Sequence, residues 1–329
     1  MTEQPRPAAL DLLEPLLNDS AVTEIMVDRP DRVFVVRSGQ LQAAGVQFAS
    51  REDVRAAIDA ALALGGVKFE AGQTLAEARL PDDARVLAAL PPTAVDGPCL
   101  MVRKVFHSPM TKDRLIEFGA ISREAFELLE RAILARQTIL IAGGTASGKT
   151  TLQNILIDQI PATERVITVE DSLDLHARHP RLLRLGVEPA TGLTYAAVID
   201  AAAKLRPDRL IFGELHGAEA LSILNLISVG YEGSLLTIHA TSPEDALARL
   251  EALCLTANSG LGLSEIRYRI ATTINLIATQ LRLASGQRRI VQITAVQGQN
   301  DAGYVLQPLF QYAADRDRLE PTGVQPGWF

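Results

Sequence analysis

Gly143, Gly148, Lys149 and Thr150 meet the spacing G-x-x-x-x-G-K-[ST] within Ile139-Leu-Ile-Ala-Gly-Gly-Thr-Ala-Ser-Gly-Lys-Thr-Thr151. The spacing has a physical reason. Glycines let backbone N–H groups turn inward around phosphate oxygens, and the N-terminus of a following helix adds partial positive charge. Lys149 can reach the β- and γ-phosphates, and Thr150 offers a hydroxyl to Mg²⁺. The candidate nucleotide-binding set is therefore Gly143, Gly144, Thr145, Ala146, Ser147, Gly148, Lys149, Thr150 and Thr151. The apolar run at 139–142 predicts a buried strand, and a helix is expected from about Gly148. The bland alternative is a plain strand–turn–helix connection.

Three more groups sit where strands are expected to end. Apolar runs at 166–169, 209–213 and 234–238 finish at Glu170 with Asp171, at Glu214, and at His239. In an open parallel sheet, ligands bind beyond the carboxyl ends of the strands. Glu214 there can orient or deprotonate an attacking water, or hold Mg²⁺ through a water. Its alternative is a carboxylate in a surface turn. Glu170 reads either as an assisting carboxylate or as part of an acidic helix cap. His239 reads either as a donor to a γ-phosphate or as a strand-end cap. His107, His176 and His179 have no metal-ligand partners at useful spacing and read as structural or solvated.

Around these stations the chain alternates strand and helix from 121 onward, the pattern of a largely parallel sheet with crossover helices. Helices are expected at 122–136, 149–160, 194–205, 218–229, 243–255 and 264–274, with strands at 276–283 and 289–296. The segment after Ala314 is polar and rich in Pro and Gly, carries Trp328, and reads as a mobile tail. Residues 1–106 read as a smaller α+β domain. It has a helix at 8–17, strands at 22–28 and 33–36, and a helix opened by Ser50 and closed by Gly65-Gly66. Three further strands follow, at 76–80, 84–90 and 99–105. Arg85 and Arg103 each fall inside an otherwise apolar strand, and pattern alone reads them as solvent-facing charges. Residues 107–120, with Pro109 and no strong period, read as a linker to the 121–329 domain.

Bulk properties exclude several classes. Hydrophobic residues make up 47% and charged residues 22%, an ordinary globular balance. No apolar run approaches the ~18–20 residues of a membrane span, and residues 1–7 lack an apolar signal core. Two distant cysteines, Cys99 and Cys254, give neither a disulfide framework nor a C-x-x-C metal site. These features predict a cytoplasmic protein. A net charge of −7 disfavours a general nucleic-acid binder, so no nucleic-acid partner is expected.

Taken together, the stations resemble the secretion ATPase superfamily of type II secretion, type IV pilus and type IV secretion motors. The likeness covers about residues 12–298. Residues 143–151 resemble its Walker A, Val169-Glu-Asp-Ser-Leu-Asp-Leu175 its Asp box, Arg206-Pro-Asp-Arg-Leu-Ile-Phe-Gly-Glu214 its Walker B, and Gly233-Ser-Leu-Leu-Thr-Ile-His-Ala240 its His box. The motifs Leu16-Leu-Asn-Asp-Ser-Ala-Val-Thr-Glu-Ile-Met-Val27, Ala78-Arg-Leu-Pro-Asp-Asp-Ala-Arg85, Leu90-Pro-Pro92, Asp96-Gly-Pro98 and Val102-Arg-Lys104 look most like the tight-adherence (Tad) pilus assembly ATPase. Conjugal-transfer and type IV secretion ATPases are the near runner-up. The missing four-cysteine zinc motif argues against a typical type II enzyme.

The resemblance implies an α/β fold with a C-terminal P-loop (RecA-like) domain, and a homohexameric ATPase using ATP and Mg²⁺. It implies a nucleotide between the two domains, and a cytoplasmic motor peripheral to the inner membrane that acts on a pilus or secretion platform protein. It makes Glu214, Glu170, Lys149 and His239 the catalytic set. Thr150 would ligate Mg²⁺ and Glu214 would reach it through water. Arg85 and Arg103 become phosphate-reaching arginines. Four departures stand out: Ala146 for a P-loop Gly, His216 for an Arg, Lys204 for an Arg, and Asp174 for a Glu. They motivate a rival reading, a nucleotide-binding ring scaffold of low turnover. A P-loop kinase or nucleic-acid motor is a third reading, disfavoured by the acidic balance and the lack of a basic-aromatic stripe.

Overall fold

The structure is a computed structural model that describes residues 7–37, 39–82, 84–104, 110–171, 173–187 and 192–327. The chain divides into two compact units, Met1–Pro109 and Met110–Phe329. His107 and Trp328 lie outside the described residues.

The first unit is an antiparallel sheet backed by helices α1 (Glu14–Asn18) and α2 (Arg51–Leu64). Its strands are β1 (Val22–Arg29), β2 (Arg32–Arg37), β3 (Gln40–Ala43), β4 (Leu75–Arg79), β5 (Arg85–Ala89) and β6 (Cys99–Arg103), in the order β3-β2-β1-β6-β5-β4. Alternation decides which face is covered. Ile25, Val86, Ala88, Leu100 and Val102 are buried and pack with Val54, Ala57, Ile58, Ala61 and Leu62 of α2. Ser50 caps α2 as expected, its hydroxyl oxygen accepting from the Asp53 N–H at 3.1 Å.

The second unit is a three-layer α/β/α domain with a largely parallel sheet. Its elements are α3 (Lys112–Glu117), α4 (Arg123–Leu134), β7 (Ile139–Gly143), α5 (Lys149–Ile157), β8 (Val166–Glu170), β9 (Leu182–Gly186), α6 (Tyr195–Lys204), β10 (Arg209–Leu215), α7 (Glu219–Ile227), β11 (Leu235–Ile238), α8 (Pro243–Thr256), α9 (Leu263–Thr273), β12 (Leu276–Arg282), β13 (Arg288–Asn300), β14 (Gly303–Ala313) and β15 (Arg318–Pro321). The sheet order is β15-β14-β13-β12-β7-β11-β10-β8-β9. The run from β12 to β9 is parallel, and β13, β14 and β15 extend it antiparallel. Central strands are apolar on both faces because helices cover both. Ile139 and Ile141 of β7 join one core with α4 and α5, and Leu140 and Ala142 join the other with α6, α7, α8 and α9.

Two expectations need correction, and one strand went unread. Residues 107–120 are not simply a linker: 112–117 form α3, capped by Thr111, with Leu115 buried in the second unit's core. Residues after Ala314 are not a free tail. β15 pairs with β14, and Leu319 is buried, because alternation survives in a polar segment. The strand β9 went unread because Leu182-Leu-Arg-Leu-Gly186 is half-exposed throughout and short, which weakens both period and hydrophobicity.

Candidate functional site

The carboxyl ends of β7, β8, β10, β11 and β12 share one edge of the parallel sheet. The loop after β7 is tight where glycine is needed. A Cβ on Gly143 would overlap Ser147 Oγ and approach the Gln280 carbonyl to 2.5 Å. Gly148 caps α5 at φ +105°, a conformation that favours glycine. Ala146 also lies at positive φ, +58°, so the position that departs from the family's glycine is one that demands glycine's geometry.

Lys149 is 7% exposed, and its ammonium folds back into the loop, donating to the carbonyls of Gly143 (2.9 Å) and Gly144 (3.3 Å). Burial pushes its pKa down, while the Glu214 carboxylate, with Oε2 3.7 Å away, opposes that shift. Glu214 in turn meets His239: Nε2 lies 2.6 Å from Glu214 Oε1, and Nδ1 lies 3.4 Å from Lys149 Nζ. The three side chains thus form a closed cluster from β10, from the residue after β11, and from α5. An Nε2–H tautomer satisfies it, with the Nδ1 lone pair toward the ammonium.

Glu170 is placed differently. It is 1% exposed; its Oε2 accepts from the Leu175 N–H at 2.7 Å and its Oε1 from Thr168 Oγ1 at 3.1 Å. Burial pushes its pKa up. Its side chain packs against Gly213, one residue before Glu214. Both oxygens serve the loop at 171–175 and its own strand, so Glu170 adjoins the cluster without joining its hydrogen bonds.

Beyond it, His216 ties the strand ends together. Its Nδ1 lies 3.0 Å from the Glu214 carbonyl and 3.6 Å from Glu219 Oε1, and its Nε2 lies 3.5 Å from Asp171 Oδ2. Lys204 closes α6 just before β10 and so sits at the opposite edge of the sheet.

In the first unit, Arg85 opens β5 and Arg103 closes β6, so neither is interior to its strand, and they stand directly opposite each other. Arg79 is the next cross-strand partner of Arg85. Arg103 is paired to Glu24 at 3.1 Å. Like charges opposite each other in a sheet cost stability. Sequence reading singled out Arg85 and not Arg79, which lies in the same motif.

The loop, the buried lysine and the N-terminus of α5 fit a nucleoside phosphate, and Thr150 at the first turn of α5 fits the hydroxyl donor that Mg²⁺ requires. The family described as type II/IV secretion system protein matches residues 8–303. The chain belongs to this family. A Mycobacterium tuberculosis protein named for conjugal transfer, Rv3659c, is 32% identical over 298 residues, covering 87% of this chain and 84% of the relative. Protein VirB11 of Agrobacterium fabrum is 30% identical over 311 residues, covering 82% of this chain and 86% of its own length. The Yersinia pseudotuberculosis ATPase DotB shares the fold, with TM-score 0.64 at 16% identity over 96% of this chain and 84% of that chain. Among the described residues, no helix is long and apolar enough to cross a membrane. The Lys149–Glu214–His239 cluster lies within the residues that the type II/IV secretion family matches.

Proposed function

We propose that this protein is an ATP-hydrolysing motor of a conjugal-transfer or type IV secretion apparatus. The observation that carries the ATPase reading is the closed cluster of Lys149, Glu214 and His239 at the lip of the phosphate loop. The P-loop amides and Lys149 hold the phosphates. Glu214 accepts the proton of the attacking water, and His239 holds that carboxylate in orientation through its 2.6 Å contact. Thr150 would hold Mg²⁺, Glu214 would reach it through a water, and the ion would neutralise charge on the β- and γ-phosphates. Glu170 assists indirectly, holding the Leu175 backbone while its side chain lies beside Gly213. Arg85 and Arg103, which face each other across β5 and β6, belong to the same proposal as the phosphate-reaching arginines that the family resemblance implies.

The relatives named for conjugal transfer and VirB11 favour this apparatus over the Tad pilus expected from the N-terminal motifs. A homohexameric ring at the cytoplasmic face of an inner-membrane platform is part of the same proposal. Measuring ATP hydrolysis by wild type beside Glu214→Gln tests the motor reading. Mg²⁺-dependent turnover that falls 10²-fold or more is expected. Equal background rates in a nucleotide-binding protein would instead favour the low-turnover scaffold.

A further inference from the structure

Gln280 is a polar residue in the apolar strand β12, which reads Leu-Ile-Ala-Thr-Gln-Leu-Arg. Its side chain is 1% exposed, and its Oε1 has no hydrogen-bond partner. A buried, unpaired carbonyl costs stability, and a leucine or methionine would occupy the same strand position without that cost. The residue therefore calls for an explanation outside packing.

Its location supplies one. β12 runs parallel to β7, with Gln280 opposite Gly143. The pairing of β12 with β13 shifts register between Thr279 and Gln280, an irregularity that re-aims side chains. Both structural glycines of the phosphate loop press on Gln280. Its backbone oxygen would lie 2.5 Å from a Cβ on Gly143, and its amide nitrogen 2.8 Å from a Cβ on Gly148. Ser147, between those glycines, is also 1% exposed, and its hydroxyl is also unpartnered. A hydroxyl donor and a carbonyl acceptor thus lie buried and unpaired against one turn. The phosphate loop is the element common to both, and it carries positive φ at Ala146 and Gly148.

We infer that Gln280 is a positioning residue for the phosphate loop. Its side-chain amide lies under Gly148, and its backbone oxygen lies under Gly143. Seating a nucleoside phosphate draws the loop so that a backbone N–H meets the Gln280 carbonyl and a phosphate oxygen accepts from the Ser147 hydroxyl. Part of the binding free energy then comes from relieving these two buried groups. The inference rests on the reading of residues 143–151 as a phosphate site.

The test is Gln280→Leu in the full chain, with binding of MgADP and of a non-hydrolysable MgATP analogue measured by calorimetry, and the nucleotide-free melting temperature beside it. A tenfold or greater loss of affinity is expected, with a melting temperature equal to or above wild type. Ser147→Ala is expected to weaken binding as well, and the double variant to fall short of the product of the two losses. Wild-type affinity in Gln280→Leu would overturn the inference, as would a loss that tracks a lowered nucleotide-free melting temperature. If Gln280→Leu fails to fold, unchanged affinity in Ser147→Ala overturns it equally. Wild type that binds neither nucleotide would instead overturn the phosphate-site reading itself.

Discussion

Strand β10 has a charged constellation at each end, and the two are built on opposite principles. At its start, Arg209 is 1% exposed and every side-chain nitrogen has a partner. Nε and Nη2 bond Glu164 at 2.6 and 3.2 Å, Nη2 also bonds the Ile133 carbonyl at 2.9 Å, and Nη1 bonds the Gly233 carbonyl at 3.1 Å. Arg136 joins through Glu164 at 3.0 Å and the Asp208 carbonyl at 2.7 Å. Roughly 17 Å along the strand, at about 3.3 Å per residue, Glu214 belongs to a looser group. There the lysine is pressed toward its neutral form by burial, and Ser147 and Gln280 carry unpaired buried atoms. Satisfied networks hold a fold together, whereas unsatisfied ones mark places that a ligand completes.

The largest effects should therefore differ in kind between the ends. Glu214→Gln should cost 10²-fold or more in turnover while leaving the denaturation midpoint near wild type. Arg209→Ala should do the reverse, costing about 3–5 kcal/mol, because the buried Ile133 and Gly233 carbonyls lose their donor and Glu164 keeps only Arg136. Urea unfolding measures that loss. Replacing both partners, in Arg209→Met with Glu164→Leu, should recover only the part owed to Glu164, since the two carbonyls stay unpaired and Arg136 loses its carboxylate. If Arg209→Ala were stable and inactive, the contrast between the two ends would collapse.

Acid titration separates two carboxylates on the same sheet by sign. Hydrogen bonding from Arg209 holds Glu164 below the ordinary glutamate range. Its stabilisation is complete above the unfolded-state pKa and is lost as pH falls through the depressed folded value. Burial pushes Glu170 the other way. Its charge costs stability near neutrality, and stability is gained as pH falls through the raised folded value. Unfolding midpoints should thus show a gain above the ordinary glutamate range that Glu170→Gln removes. They should also show a loss below that range that Glu164→Gln removes.

The sequence made one end of β10 far more legible than the other. The P-loop spacing, Glu214 and His239 announce themselves because phosphate chemistry restricts residue type and spacing together. Arg209 gave no such sign. It reads as a charge before an apolar run, and its partners come from residues 133, 164 and 233, which local pattern cannot bring together. Gln280 was missed for a related reason: a single polar residue does not disturb the period of a strand. The helix caps at Ser50 and Ser122 were readable because they act within three residues. The strands β14 and β15 were obscured by polar and exposed positions, so a packed edge resembled a tail.

His216 offers a smaller perturbation. It bridges Asp171 and the Glu214 carbonyl with an exposed ring at contacts of 3.5 and 3.0 Å, where the family resemblance calls for arginine. Arginine brings a permanent charge and a forked donor to the same acceptors. An exposed ion pair of this kind is worth about 0.2–1 kcal/mol. His216→Arg should therefore raise turnover roughly two- to fivefold without changing KM for ATP, as steady-state kinetics would show. A fall in turnover would mean that the strand ends are tuned to the histidine.

Ala146 gives the smallest and most local test. Its φ of +58° costs an L-residue about 1–2 kcal/mol, and glycine there regains part of that against its own backbone entropy. At the other edge, Arg136 and Arg206 also adopt positive φ, at +55° each, directly after the C-caps of α4 and α6, where such a conformation ends a helix. Arg136 is further anchored by its bonds to Glu164 and Asp208, whereas Ala146 is exposed in the phosphate loop. Ala146→Gly should stabilise the protein by about 0.5–1 kcal/mol, a rise of roughly 1–4 °C in melting temperature. Arg136→Gly should fail to stabilise, because it removes the side chain that anchors the turn. Scanning calorimetry of the two variants checks both. Stabilisation by Arg136→Gly would show that strain, rather than its anchoring, distinguishes the two edges of the sheet.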